Sequence, residues 1–207
     1  MSGIEVVGLV SAIVGIVEAI GKVSKTLRDA KDIPRAFNEV AERLPLVRDT
    51  LQSVESHISH ATEDGVYEAM KKVLENCREK AEQLQEIFRA VAPSERISRI
   101  KRYSLAVRRL GKGSLVEILA KGMMEDAHAL VLAHSAQAAT ESQVMELSEA
   151  IRELSTIEAS LPDESAASQM HYGSGDNIAG SKYGGNHTEF SGSGTAYFAP
   201  VTQNGMA

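Results

Sequence analysis

Hydrophobic side chains recur every three or four positions over most of residues 3–160, which is the period of an amphipathic α-helix. Proline and glycine interrupt this pattern near residues 34, 65, 93 and 111–113. The predicted helices cover residues 3–31, 34–61, 66–91, 95–110 and 114–160, the last being either continuous or broken near Ser135. The pattern therefore predicts an all-α fold, a helical bundle of about five helices.

The first predicted helix is unusually apolar. It contains twelve residues without a charge between Glu5 and Glu18. Small residues recur four positions apart within it, so they share one helix face, where the backbone of another helix can approach closely. These residues are Gly8, Ala12, Gly15 and Ala19. Two interpretations stay open: a helix buried on several sides within the bundle, and a membrane-active helix that is stored there and later enters a membrane.

The charges around this helix argue against a secretion signal or an ordinary membrane span. No basic region precedes it, and Glu5 lies where a signal peptide carries positive charge. Glu18 interrupts the apolar stretch, so it falls short of the roughly 20 apolar residues of a typical span. The predicted localisation is cytoplasmic, with membrane association on activation.

The sequence offers little support for catalysis. Cys77 is the single cysteine, so no intrachain disulfide can form, and its place on an apolar helix side predicts a buried thiol. His57, His60 and Glu63 lie at helical spacing, but no second pair of metal ligands accompanies them. Residues 15–22 lack the glycine spacing and the preceding strand of a phosphate-binding loop. We therefore expect no metal, no cofactor and no enzymatic activity.

The fourth predicted helix is basic. No acidic residue occurs from residue 96 to residue 116, and we define the basic patch as Arg96, Arg99, Lys101, Arg102, Arg108, Arg109 and Lys112. The apolar side predicted for this helix consists of Ile97, Ile100, Val107 and Leu110. Such a helix suits anionic lipid or an acidic partner. The alternative is a solvated face that pairs with acidic residues of the third helix, such as Glu75, Glu79, Glu82 and Glu86. The net charge of −6 argues against nucleic acid as a partner.

The composition changes after Pro162. Residues 163–207 contain eight of the 16 glycines, five of the nine Tyr and Phe residues, and only Ile178 and Val201 among Ile, Leu and Val. Such a segment cannot bury enough aliphatic surface to fold alone, so we predict a helical bundle over 1–162 and a disordered tail over 163–207. Its Gly, Asn and aromatic residues also suit cross-β stacking between chains. The candidates for such an amyloid motif are Asn177, Ile178, Gly180, Tyr183, Asn186 and Phe190.

Three separated stretches resemble a known family. They are residues 1–13 (MSGIEVVGLVSAI), 41–51 (AERLPLVRDTL) and 107–113 (VRRLGKG). They resemble the SesA-type domain of fungal NACHT and other NOD-like STAND NTPases, which is related to the HeLo-like helical domains of fungal cell-death effectors. The resemblance covers about residues 3–140 and implies a helical bundle whose N-terminal helix attacks membranes when many copies cluster. The tail resembles the amyloid signalling motifs of fungal death pathways, and its composition is nearest to the sigma type.

This resemblance implies an effector or signalling protein of fungal programmed cell death and heterokaryon incompatibility. A receptor would template the tail into a fibril, and clustering would release the first helix toward a membrane. The implied partners are a NOD-like NTPase receptor with a matching motif, other copies of the chain, and anionic membrane lipid. The alternative is a helical protein–protein interaction adaptor that binds such a receptor and has no membrane activity.

Overall fold

The structure, a computed structural model, describes residues 3–28, 30, 32–58, 64–92, 97–111, 115–133 and 141–161. This part of the chain forms six α-helices and no strand. The helices are α1 (Gly3–Leu27), α2 (Ala36–Ile58), α3 (Asp64–Val91), α4 (Arg99–Leu110), α5 (Val116–Ala133) and α6 (Glu141–Thr156). The predicted all-α fold is confirmed. The broken alternative is correct for the last predicted helix, because α5 and α6 are separate.

Several helix ends differ from the prediction by a few residues. α1 ends at Leu27 rather than at residue 31, and the Ala30 N–H donates to the Leu27 carbonyl (2.9 Å) in the turn that follows. α4 begins at Arg99 rather than at residue 95. It ends at Gly111 as predicted, with φ at 104° and the Gly111 N–H donating to the Val107 carbonyl (2.9 Å). A positive φ of this size favours glycine, which explains why α4 stops there.

Four helices enclose the core. α1 packs against α2 and α3, and α5 packs against the same two helices, so α1 and α5 occupy opposite corners of the bundle. α4 packs on α3, and α6 packs on α5 and α2. Among the described elements, α1 therefore has two helical neighbours, and part of its circumference faces solvent.

Three aromatic rings join α2, α3 and α4. The ring of Phe37 in α2 lies 5.0 Å from that of Phe88 in α3 and 4.9 Å from that of Tyr103 in α4, measured between centroids. The interplanar angles are 58° and 80°, within the tilted and edge-on arrangements that aromatic pairs prefer. All three side chains are buried. Tyr103 thus anchors the short helix α4 to the core.

Ion pairs connect neighbouring helices on both sides of the core. Lys80 of α3 contacts Asp126 of α5, and Arg43 of α2 contacts Glu153 of α6, each with a nitrogen–oxygen distance of 2.7 Å. Partial burial raises the pKa of Asp126, although Lys80 acts in the opposite direction. A Cβ atom on Gly122 would lie 2.8 Å from the Lys80 side chain, so this glycine gives Lys80 room to reach across α5.

Thr50 in α2 offers a test of the core. It is fully buried, and its hydroxyl has no hydrogen-bond partner among the described residues. Thr50→Val replaces this hydroxyl with a methyl group and should raise the free energy of unfolding in urea by about 1 kcal/mol. Thr26→Val is the control, because Thr26 is exposed and its hydroxyl donates to the Val23 carbonyl (2.7 Å). A loss of stability in Thr50→Val would contradict the assignment of an unpaired buried hydroxyl.

Alkaline unfolding tests the burial of Tyr103. Burial raises the pKa of its hydroxyl from 10.0 to about 12. Because the unfolded state loses this proton first, the contribution of Tyr103 to stability is constant below pH 10 and declines between pH 10 and pH 12. At pH 11 the decline amounts to about 1.4 kcal/mol. The stability difference between wild type and Tyr103→Phe should therefore shrink by this amount between pH 8 and pH 11, as measured by urea unfolding.

Cys77 does not obscure this comparison. Burial raises its pKa to about 12 as well, but the thiol titrates in both proteins and cancels in their difference. A parallel decline of wild type and variant would show that Tyr103 makes no special contribution at high pH.

Candidate functional site: the outward face of the first helix

α1 is buried along one side and open along the other. Its buried side carries Val6, Val10, Ile13, Val17 and Ile20. We define its outward face by the exposed residues Ile4, Gly8, Ser11, Gly15 and Glu18. The predicted membrane-active residues are divided accordingly: Gly8 and Gly15 lie on the outward face, whereas Ala12 and Ala19 are half-buried at its border. α1 is therefore a core helix on the side that packs against α2 and α3, and it is not buried all round.

The glycines of the outward face do not serve packing within the bundle. A Cβ atom on Gly8 or Gly15 would meet no neighbouring heavy atom within 4 Å. Ser11 donates a hydrogen bond to Glu55 of α2 (3.2 Å). Apart from Ile4, the residues that define this face are small or charged, and a second helix could approach the glycines closely.

Positive charge collects at the C-terminal end of α1. Lys22, Lys25 and Arg28 line a groove between α1 and α2 with a volume of about 770 Å³, together with Glu18 and Arg48. In the described part of the chain, no ion pair engages Lys22, Lys25 or Arg28. Cations at a helix C-terminus are favourable for the helix dipole, and they are also placed to contact anionic groups.

α1 is long and apolar enough to cross a membrane, judged by length and composition alone. It has 25 residues, or about 38 Å of helix, against a hydrocarbon thickness of about 30 Å. The uncharged stretch still ends at Glu18, as the sequence indicated, so only the whole helix reaches spanning length. Core helices of soluble proteins and signal sequences near an N-terminus pass the same test, and 28% of the residues in the apolar stretch of α1 are buried.

The structure ties three members of the basic patch to the bundle. Arg99 contacts Asp32 at 2.6 Å and holds the pKa of that carboxyl below its usual value. Arg102 donates to the last carbonyl of α3 (3.1 Å). Arg109 forms an ion pair with Glu86 of α3, as the alternative of a paired, solvated face predicted. Arg109 is exposed, as are Lys101 and Arg108.

The other acidic residues named for that alternative do not pair with α4 in the described contacts. Glu75 and Glu82 pair with Lys71 and Arg78 within α3 itself. Glu79 accepts a hydrogen bond from Gln83, also in α3.

The surface at α4 is partly apolar. Ile97, which precedes α4, and Ile100 and Leu105 within it are 44%, 40% and 49% exposed. The predicted apolar side is divided, because Ile97 and Ile100 are exposed whereas Val107 and Leu110 are half-buried, and the buried residues of α4 are Tyr103 and Ala106. The three-residue spacing of Tyr103 and Ala106 indicates which side of α4 is buried, but the neighbouring isoleucines form a stronger apolar pattern.

Other predicted residues lie outside the part of the chain that the structure describes. They are Arg96 and Lys112 of the basic patch, the possible metal ligands His60 and Glu63, and the tail candidates Asn177, Ile178, Gly180, Tyr183, Asn186 and Phe190. Within the described ranges, no group of three or more His, Cys, Asp or Glu side chains could hold a metal ion. Cys77 is buried, as predicted.

The fold and the open first helix define a small helical domain with an exposed apolar surface. Residues 10–130 match the SesA family, described as the N-terminal domain on NACHT_NTPase and P-loop NTPases. The match covers more than half of the 207 residues, so the chain belongs to the SesA family. It extends from α1 into α5, while α6 lies beyond it. No curated protein and no solved structure matches the chain significantly.

Alanine substitutions test the openness of the outward face. Gly8→Ala and Gly15→Ala should each raise the free energy of unfolding by about 0.5–1 kcal/mol, because alanine is the better helix former and its Cβ meets no neighbour. Gly122→Ala is the matched control in α5, where the new Cβ would displace the Lys80 side chain, and it should gain less. Urea unfolding measures all three. Destabilisation by Gly8→Ala or Gly15→Ala would mean that another surface covers this face in solution.

Proposed function

We propose that this SesA protein is a cytoplasmic, non-enzymatic effector or signalling protein that works with a NACHT NTPase in fungal programmed cell death. Its membrane-perturbing element would be α1. The observation that carries this proposal is the outward face, because a helix long and apolar enough to span a membrane is stored with one side that the described helices do not cover. The family's description as an N-terminal domain on NACHT NTPases supports the choice of partner.

The free energy of side-chain burial favours α1 in the bundle until a membrane is present to accept it. Six side chains of α1 are buried in the bundle. Burial of a Val, Ile or Leu side chain contributes about 1.5–3 kcal/mol, so moving α1 into water costs on the order of 10 kcal/mol. In the hydrocarbon core of a bilayer, these side chains return to an apolar environment. Release and insertion are therefore coupled in this proposal.

Clustering of the chains would supply the trigger. The Gly, Asn and aromatic residues of 163–207 suit cross-β stacking, and a NOD-like receptor with a matching motif would template it, as in amyloid signalling pathways. Self-association through the tail raises the local concentration of α1. Lys22, Lys25 and Arg28 beside α1, and Lys101 on α4, would contact anionic lipid on the membrane.

Dye leakage from vesicles of phosphatidylcholine and phosphatidylserine tests this function. We expect full-length protein to cause leakage when preformed fibrils of a peptide of residues 170–204 are added, and little leakage without them. Gly15→Glu should abolish most of the leakage, because a long charged side chain in place of this glycine prevents the close approach of another helix to the outward face. The same variant should fold, since the site is open in the bundle.

Leu132→Glu is the control for this experiment. Leu132 is 62% exposed on α5, so the substitution adds the same charge to another exposed position and should leave leakage intact. Leakage by Gly15→Glu at the wild-type level contradicts a role for the outward face. Absence of leakage by wild type, with and without fibrils, removes the membrane function.

The alternative function is a helical adaptor that binds the NACHT NTPase and never enters a membrane. The exposed apolar side chains of α4 favour it, because an apolar helix side with flanking cations also suits a protein partner. In the leakage experiment, the adaptor corresponds to wild-type protein that joins the fibrils but releases no dye.

A further inference from the structure

The last described segment of the chain, residues 157–161, lies against α4 and α5. It follows α6 and directly precedes Pro162. We call it the latch segment. Its contact with the bundle is concentrated at Ser160, whereas Glu158 and Ala159 are exposed and Ile157 and Leu161 are half-buried.

Ser160 makes three hydrogen bonds to two buried side chains. Its backbone N–H donates to Glu117 Oε1 (2.9 Å), and its hydroxyl donates to Glu117 Oε2 (2.7 Å). Its Oγ also lies 2.5 Å from the hydroxyl oxygen of Tyr103. Because the single proton of the serine hydroxyl goes to Glu117, Tyr103 must be the donor in this third bond.

The hydrogen bonds form a circuit that is closed by the chain itself. The backbone N–H of Val116 donates to the Tyr103 hydroxyl oxygen (3.2 Å), Tyr103 donates to Ser160, and Ser160 donates to Glu117, which is bonded to Val116 in the chain. Each group in this series donates to the next one, and the series of hydrogen bonds ends on the Glu117 carboxylate. Hydrogen bonds in such a series strengthen one another, so loss of one weakens the rest.

Glu117 makes the circuit sensitive to the latch segment. It is only 5% exposed, and in the described part of the chain no cation forms an ion pair with it. Its place in the first turn of α5 favours negative charge, but a buried carboxylate also needs hydrogen-bond donors. Among the described residues, both of its hydrogen-bond donors come from Ser160.

We propose that residues 157–161 are a latch that opens while α1, α2 and α3 stay folded, and that its opening transmits the state of residues 163–207 to Tyr103 and the first turn of α5. The opening itself involves only the hydrogen bonds of Ser160 described above. The trigger rests on the proposed function, namely the assembly of residues 163–207. Tyr103 carries the change inward, because its ring contacts Phe37 of α2.

Hydrogen exchange of the full-length chain, followed by mass spectrometry, tests the latch. In wild type, the amides of residues 157–161 should exchange faster than those of the buried part of α3. In Ser160→Ala they should exchange about tenfold faster still, because the hydrogen bond from the serine hydroxyl to the Glu117 carboxylate is lost. Tyr103→Phe removes the donor to Ser160 and should act in the same direction. The exchange of α3 should stay unchanged in Ser160→Ala.

Ser155→Ala is the matched control. Ser155 is exposed on α6, and its hydroxyl donates to the Ile151 carbonyl of the same helix (2.7 Å). Its substitution should leave exchange at residues 157–161 at the wild-type rate. Two results would overturn the latch: an effect of Ser155→Ala equal to that of Ser160→Ala, or exchange of residues 157–161 and α3 at one common rate in wild type.

Fibrils of the peptide of residues 170–204 test the transmission separately. Full-length chains that sediment with the fibrils should exchange faster at residues 157–161 and at the Val116 amide, with α3 unchanged. Sedimented chains with wild-type exchange at these positions would overturn the transmission. A peptide that forms no fibrils counts against the assembly step of the proposed function and not against the latch, whose opening the variants test alone.

Discussion

Five aliphatic side chains between Val6 and Ile20 hold α1 against α2 and α3. This contact constrains the rest of the bundle, because α5 fills the opposite corner and contacts the same two helices. If α1 left, α5 would still connect α2 with α3, and α4 and α6 would keep their own neighbours. The packing of the remaining described helices on one another would therefore survive the departure of α1. The buried surfaces of α2 and α3 would then need a new cover, which resists release in water.

Tyr103 plays a comparable linking role on the other side of the core. Its ring packs on Phe37, and its hydroxyl joins the first turn of α5 to Ser160. By backbone proximity α4 adjoins only α3 among the described helices, and the side chain of Tyr103 also reaches Phe37 of α2 and Val116 of α5. The burial that anchors α4 also places a hydrogen-bonding group where the latch segment reaches it.

The hydrophobic period located each described helix, because burial on one side imposes three- and four-residue spacing wherever polar residues fill the other side. It failed for the orientation of α1, since glycine, alanine and serine are compatible with either burial or exposure. In α4, the isoleucines dominated the pattern, yet Tyr103 was buried through a ring contact with a residue 66 positions away. The circuit of Tyr103, Glu117 and Ser160 joins distant parts of the chain, and local spacing carries no signal for it. The tail candidates lie outside the described residues and remain predictions.

Glu18 constrains how α1 could act in the proposed membrane state. The uncharged stretch between Glu5 and Glu18 spans only about 20 Å of helix, which is shorter than the hydrocarbon thickness. A single inserted copy would therefore leave Glu18 in an unfavourable environment.

In a cluster, however, the two sides of α1 can exchange their surroundings. The side that carries Val6, Val10 and Ile13 would turn from the bundle toward lipid. The outward face would turn toward other copies, where Gly8 and Gly15 permit close helix contact. Glu18 and Ser11 lie on that same face. Clustering would therefore place them between helices or beside water rather than against lipid. Charged groups within a membrane are tolerated in such protein or water surroundings. The small residues and the glutamate, which conflict in a lone spanning helix, are compatible in an assembled one.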